Sequence, residues 1–116
     1  MKKGSTNDER KSVRQGRNLV RLEGLVASAS ISRDGVLARR IEIPISGSRE
    51  ILDIECEKPE IFRVFRSLRI GQWVEVEGSV RKRFWRVGSG LASRSYIEVK
   101  SLTPGKTQTA PAPRKR

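Results

Sequence analysis

The chain of 116 residues has room for one small domain, and its apolar share of 35% is low for a globular protein. Its formal net charge of +12 favours a polyanionic partner. One cysteine and no histidine exclude an intrachain disulfide and Ser–His or Cys–His catalytic pairs, and they leave little for a zinc site. No apolar run approaches the ~20 residues of a membrane span, and no apolar segment follows the N-terminal lysines, so we expect a cytoplasmic protein without metal or cofactor.

The basic excess is concentrated at the two ends of the chain. Residues 1–17 carry six basic and two acidic groups and residues 103–116 carry four basic groups, so each end contributes +4 of the +12. Neither end has enough apolar side chains to offset the entropy of ordering it. We therefore predict a disordered basic N-terminal arm over 1–17, a folded domain over 18–102 and a disordered basic C-terminal tail over 103–116.

Three segments in the first half of the chain alternate apolar and polar residues with the period of a strand. The second places Ile41, Ile43 and Ile45 on one face, and the third places Leu52, Ile54 and Cys56 on one face. Asp-Gly and Ser-Gly pairs between the segments predict turns. The predicted strands are VRLEGLV at 20–26, VLARRIEIPI at 36–45 and ILDIECE at 51–57.

The pattern then changes to the spacing of a helix. Apolar residues recur at Ile61, Phe62, Phe65 and Leu68, between a proline suited to a first helical position and a glycine suited to a stop, Pro59 and Gly71. One helix of about ten residues is predicted here. Two further strands follow, QWVEVEGSVRKRFWR at 72–86 and SYIEVKSL at 95–102.

The predicted order of three strands, one helix and two strands is typical of an OB-fold. This all-β fold with small α content is a five-stranded Greek-key barrel with the helix between strands 3 and 4. Gly24 and Gly78 in mid-strand fit the sharp coiling of a small barrel, and the spacing predicts a long hairpin between strands 4 and 5. An SH3-like barrel is the nearest alternative, but it usually has no full helix at that point.

The hairpin segment from Gly78 to Tyr96 combines five basic residues, three aromatics and no acidic residue. Alternation places Arg81, Arg83 and Trp85 on one strand face. If the hairpin extends past the barrel, its cations contact phosphates while Trp85 stacks on an unpaired base. Alternatively, Phe84 or Trp85 folds back onto the barrel and the charges are only solvated. On the other face or flanking the loop lie Lys82, Phe84, Arg86 and Arg94.

Other side chains carry weaker signals. Arg39 and Arg40 are adjacent in a strand and point to opposite faces, so we expect one of them to reach a phosphate. Trp73 stands beside Glu75 and Glu77, which repel phosphate, and this favours a packing or subunit-interface role. Rows of carboxylates such as Asp53, Glu55 and Glu57 are compatible with a metal nuclease, but they equally balance neighbouring arginines. No positioned base supports catalysis, so we predict a protein that is not an enzyme.

Three stretches of the chain resemble the bacterial single-stranded DNA-binding protein family. NLVRLEGLV at 18–26 resembles the family's first strand, LRIGQWVEVEGSVRKRFW at 68–85 its helix end and fourth strand, and SRSYIEV at 93–99 its returning strand. The segment RKRFWR…ASRSYIEV is most similar to a short, divergent form seen among actinobacteria. The resemblance covers residues 18–102, of which the second and third strands match only in pattern.

The resemblance implies an OB-fold that binds single-stranded DNA with little sequence preference, in replication, repair and recombination. It also implies self-association, usually of four OB-folds, with a dimer as the alternative, and a nucleoid-associated location. Trp85 falls on a stacking tryptophan of the family, Arg81 and Arg83 fall on the basic positions before it, and Tyr96 falls in an Arg-Tyr segment interrupted here by Ser95.

Two departures from the family keep other partners open. The second and third predicted strands contain no aromatic residue, whereas the family carries further stacking aromatics there. The chain ends in TPGKTQTAPAPRKR, which is basic, so recruitment of replication proteins through an acidic tip is not expected. The alternatives are an RNA-binding OB module and a replication-accessory protein-interaction module with weak DNA binding.

Overall fold

The structure, a computed structural model, describes residues 14–107. Most of the predicted N-terminal arm (1–17) and C-terminal tail (103–116) lies outside the described residues, at 1–13 and 108–116. Within the described range, no helix is long and apolar enough to cross a bilayer. The elements in chain order are β1 (Val20–Val26), β2 (Ile31–Arg33), β3 (Val36–Ile45), β4 (Ser48–Cys56), α1 (Pro59–Ser67), β5 (Gln72–Val87) and β6 (Gly90–Thr107).

Five of these strands close into a barrel. Neighbouring strands pair in the order β1-β5-β6-β4-β3, and a short antiparallel contact between β1 and β3, Leu25 opposite Glu42, closes the ring. The β4–β6 pair is parallel, with Ile54 opposite Ile97. The helix lies between the third and fourth barrel strands, so the predicted OB-fold is confirmed. The three-residue strand β2, which pairs with the start of β3, was not predicted because all its side chains are exposed and show no alternation.

The core fills the barrel with the inward-facing half of each alternating strand. Ile41, Ile54 and Cys56 are fully buried, as the alternation predicted, whereas Ile45 is exposed because the β3–β4 hairpin extends past the barrel there. Phe65 and Leu68 seal one end from the helix side. Helix α1 begins at Pro59, as predicted, and Gly71 takes a left-handed φ of 92° after it.

Two mid-strand glycines allow strands to approach closely. A Cβ on Gly24 would stand 2.6 Å from the carbonyl oxygen of Glu42, where β1 turns from β5 to β3. A Cβ on Gly78 would stand 2.0 Å from the carbonyl oxygen of Glu98, at a bulge in the β5–β6 pair. Both positions therefore require glycine, in agreement with the coiling predicted for a small barrel.

Strand β6 continues past the domain boundary predicted at Leu102. Thr103 and Pro104 pair with Glu75 and Val74, and the pairing reaches Thr107 opposite Gln72. The segment has no apolar alternation that would predict a strand, and main-chain pairing with β5 orders it. Gly105 packs its backbone against Trp73.

Candidate nucleic-acid interface

Strands β5 and β6 leave the barrel together as a two-stranded arm. The arm comprises Arg81–Val87 of β5 paired with Gly90–Tyr96 of β6, and its tip is a turn at Gly88, whose φ is 57°. Every residue from Val80 to Leu91 is exposed, so neither face of the arm belongs to the core. Asn18 holds the base of the arm, because its side-chain amide donates to the carbonyl of Val80 and accepts from the amide of Val80, both at 2.8 Å.

Strand alternation and register divide the arm into two faces. The first, which we call the paired face, is continuous with the outer surface of β4 and β3. It carries Arg81, Arg83 and Trp85 of β5, with Arg94 and Tyr96 of β6. The second, which we call the unpaired face, carries Lys82, Phe84 and Arg86 of β5, with Leu91 of β6.

The arginines of the paired face are bound to carboxylates of the barrel. Arg81 Nε donates to Glu98 Oε1 at 2.7 Å, and Arg83 donates from both Nη atoms to the two oxygens of Glu55, at 2.8 and 2.9 Å. These hydrogen bonds, reinforced by charge attraction, raise the pKa of Arg81 and of Arg83. The resulting face alternates positive and negative groups instead of presenting bare cations.

One aspartate serves two arginines at the junction of the arm with β3. Asp53 Oδ1 accepts from Arg40 Nε at 3.1 Å, and Asp53 Oδ2 lies 3.3 Å from Arg94 Nε. All three side chains are partly exposed. Such solvated pairs contribute about 0–1 kcal/mol each, so a phosphate can replace the carboxylate at small cost.

Arg39 is placed differently from its neighbour. It is 5% exposed, on the same inward face as Leu37 and Ile41. Its Nε donates to the carbonyl of Ser28 at 3.0 Å and its Nη1 to the carbonyl of Phe65 at 2.7 Å, in the last turn of α1. Burial lowers the pKa of Arg39. The structure therefore gives Arg39 a role in packing, and of the two adjacent arginines only Arg40 lies on the candidate surface. The sequence signal for the inward position of Arg39 was the strand alternation, which puts Arg39 on the same face as Ile41.

The aromatic side chains of the arm are open to solvent. Trp85 is 43% exposed and Phe84 59% exposed, so neither folds back onto the barrel. Tyr96 is half-buried, and the guanidinium carbon of Arg83 lies 4.6 Å from the centre of its ring. The paired face thus presents an indole and a guanidinium–phenol stack beside the outer surface of the barrel.

The unpaired face differs in its electrostatics. Among residues 14–107, Lys82 and Arg86 form no ion pair. They surround an apolar strip in which Phe84 and Leu91 are exposed, Leu91 by 69%. This face can offer free cations and hydrophobic contact, and among the described residues no guanidinium lies over its one aromatic ring.

Trp73 lies away from the arm, on the outer face shared by β1, β5 and β6. It is half-buried and lines a cleft of about 240 Å³ together with Glu23, Glu75 and Pro104. The neighbouring Glu77 binds Arg21, which lowers the pKa of Glu77 through a hydrogen bond and charge attraction. These acidic surroundings disfavour a phosphate at Trp73. The role of Trp73 in a subunit interface stays a prediction.

The described residues contain no group of three His, Cys, Asp or Glu side chains arranged to hold a metal ion. Two members of the carboxylate row on β4, Asp53 and Glu55, instead bind arginines, which was the alternative left open by the sequence. Cys56 is buried in the core, and burial raises the pKa of its thiol.

Comparison with known proteins finds likeness in structure only, since no protein-family model and no curated protein sequence matches the chain. The mitochondrial single-stranded DNA-binding protein of S. cerevisiae is similar with a TM-score of 0.65 and 17% identity, covering 81% of this chain and 100% of that chain. The Plasmodium falciparum SSB, solved with ssDNA, is similar with a TM-score of 0.66 and 18% identity, covering 78% and 96%.

A small single-stranded DNA-binding protein from Streptomyces coelicolor is also similar, with a TM-score of 0.58 and 15% identity, covering 74% of this chain and 92% of that chain. These structures are of the kind that the sequence resembles. At such identities the likeness establishes the fold: the chain is an OB-fold protein whose solved structural neighbours are single-stranded DNA-binding proteins.

Proposed function

We propose that this protein binds single-stranded DNA with little sequence preference and without catalysing a reaction. The observation that carries the proposal is the arm, which holds Trp85 open to solvent among arginines where no core requires a large apolar side chain. The bound DNA strand would follow the paired face and the outer surface of β3 and β4. An exposed indole accepts any unpaired base, because every base has a π-face.

The electrostatics of the paired face support a ligand that arrives with its own phosphates. Arg81, Arg94 and Arg40 each make a single hydrogen bond or ion pair to a partly exposed carboxylate. Phosphates would exchange with these carboxylates and release counterions. Lys82 and Arg86 would add unpaired charge from the other face. Duplex DNA lacks free base faces, so it would gain only the phosphate contacts.

The cellular setting follows from this activity as part of the proposal. Protection of exposed strands would serve DNA replication, repair and recombination, near the nucleoid. Self-association as a dimer or tetramer is supported by β1, which pairs along one edge with β5 and reaches β3 only at Leu25 and Val26, so most of its other edge is open within the described residues. Light scattering at several concentrations measures the assembled mass, and a monomer throughout would contradict it.

The experiment that tests the function is a titration of labelled oligo-dT against duplex of the same length at several salt concentrations. We expect tighter binding to oligo-dT, with affinity falling as salt rises. Equal affinity for both, or no binding at low salt, would overturn the proposal. Competition with oligo-U identifies an RNA-binding module if oligo-U binds more tightly.

A protein partner is the second candidate, favoured by the exposed Phe84 and Leu91 on the unpaired face. Pull-down after nuclease treatment distinguishes it, since a partner that binds through DNA is lost when the DNA is digested. Loss of a retained partner in a Leu91→Ser variant would locate the contact on this face.

A further inference from the structure

Three side chains from three strands form a layered group on the paired face. Glu55 of β4 accepts two hydrogen bonds from the Nη atoms of Arg83, and the guanidinium carbon of Arg83 lies 4.6 Å from the ring centre of Tyr96 of β6. The carboxylate therefore holds one edge of the guanidinium, and the guanidinium carbon lies over the phenol ring. Among the described residues, Arg83 is the one arginine of the paired face that donates two hydrogen bonds to a carboxylate.

The part of Arg83 that remains for a ligand is the side of its guanidinium that points away from Tyr96. The Arg83 side chain is 50% exposed, whereas that of Glu55 is 13% exposed. A phosphate that displaced Glu55 would leave a mostly buried carboxylate without its partner, which is costly. A base that stacks on the open face breaks no hydrogen bond. Guanidinium planes stack on bases much as aromatic rings do.

The surroundings also favour a stacking role. Strands β3 and β4 contain no aromatic residue, so the outer surface next to the arm has no ring of its own. Trp85 follows Arg83 by two residues, on the same strand face. The guanidinium of Arg83 and the indole of Trp85 would then follow one another along the path of the bound DNA strand, with the guanidinium nearer to the barrel.

We propose that Arg83 binds a nucleic-acid base by stacking rather than a phosphate by charge, with Glu55 and Tyr96 as positioning residues that hold its plane. The inference rests on the proposed binding of single-stranded DNA. It assigns a separate chemistry to one arginine of a row in which Arg81 and Arg94 would contact phosphates.

The test compares two ligands of equal length and charge, oligo-dT and an abasic oligonucleotide, for the full chain and its variants. The readout is the ratio of the two affinities, in which general electrostatic changes cancel. We expect Arg83→Lys, which keeps the charge and loses the plane, to lower this ratio by about 5- to 150-fold, the range of base stacking. Arg83→Trp, which restores a plane without the charge, is expected to recover most of the ratio.

Arg81→Lys is the matched control, since Arg81 lies two residues away on the same face with one hydrogen bond to Glu98. We expect it to shift both affinities by the same factor. A second measurement follows the NMR signal of Arg83 Nε–H in the two complexes. A base stacked on the guanidinium would shift this signal upfield with oligo-dT, whereas the abasic ligand would not.

Two outcomes would overturn the inference. One is an unchanged ratio in Arg83→Lys, which includes an equal loss for both ligands, and the other is an Nε–H signal that moves alike with both. The proposed function stands in either case as long as the wild type prefers oligo-dT to duplex. If the wild type shows no such preference, the proposed function fails and the stacking role with it.

Discussion

On the paired face of the arm, Arg81, Arg83 and Arg94 each have a barrel carboxylate within 3.3 Å, whereas Lys82 and Arg86 on the unpaired face have none among the described residues. The two faces belong to the same two strands and contain similar side chains. They differ because the paired face continues onto the outer surface of β4, where Asp53 and Glu55 stand. A count of arginines therefore does not measure the positive charge that a ligand meets. The paired face combines planar side chains with arginines whose carboxylate partners a phosphate can replace.

The largest expected effect comes from disrupting the β5–β6 pairing at the base of the arm, because the register of that pairing sets which residues lie on each face. In Gly78→Ala, the added Cβ would meet the carbonyl of Glu98 and force the strands apart. We expect the free energy of unfolding to fall by about 3 kcal/mol or more, measured by urea denaturation. Gly90→Ala at the tip, where the nearest atom lies at 3.7 Å, should stay within about 0.5 kcal/mol. Equal effects at the two glycines would contradict the close approach.

The next prediction compares the faces through their adjacent aromatics. Trp85→Ala should weaken binding to oligo-dT by ~1–3 kcal/mol, because its exposed ring has the arginines of the paired face beside it. Phe84→Ala, on the unpaired face, should cost less than about 1 kcal/mol of binding. Intrinsic fluorescence or anisotropy titration measures both, and thermal melts should show the fold retained because neither ring is in the core. A greater loss at Phe84 would move the interface to the unpaired face.

The smallest expected effect sharpens the electrostatic difference between the faces. Asp53→Asn removes the carboxylate shared by Arg40 and Arg94. We expect binding to oligo-dT to tighten by about 0–1 kcal/mol, because Arg40 and Arg94 no longer give up a carboxylate when a phosphate binds. Fluorescence anisotropy titration measures the change. Glu77→Gln is the control, since it frees Arg21 on the opposite outer face of the barrel. An equal gain in affinity for both variants would indicate a general charge effect.

Much of the fold could be predicted because strand alternation records burial directly. The inward positions of Ile41, Ile54 and Cys56, the helix start at Pro59 and the need for Gly24 and Gly78 were all readable from spacing. Strand β2 and the end of β6 could not be predicted, because main-chain pairing alone orders them and leaves no pattern of apolar residues.

The candidate site was predictable as a segment but not as an arrangement. The sequence indicated a basic, aromatic hairpin and the division of its residues between two faces. It did not indicate that Asn18, some sixty positions away, forms two hydrogen bonds with the backbone of Val80. It also did not pair Arg83 with Glu55 and Tyr96, since contacts between three strands depend on register and barrel closure.

By itself, the sequence determined which side chains alternate, where glycine breaks the strands and how much charge the chain carries, because these are properties of local spacing and composition. Only the tertiary structure decided which charges remain free. Closing the barrel brings β4 beside β6 in parallel and sets the carboxylates of one strand under the arginines of another. The same closure turns Arg39 into a buried donor for helix α1 while its neighbour Arg40 stays on the surface.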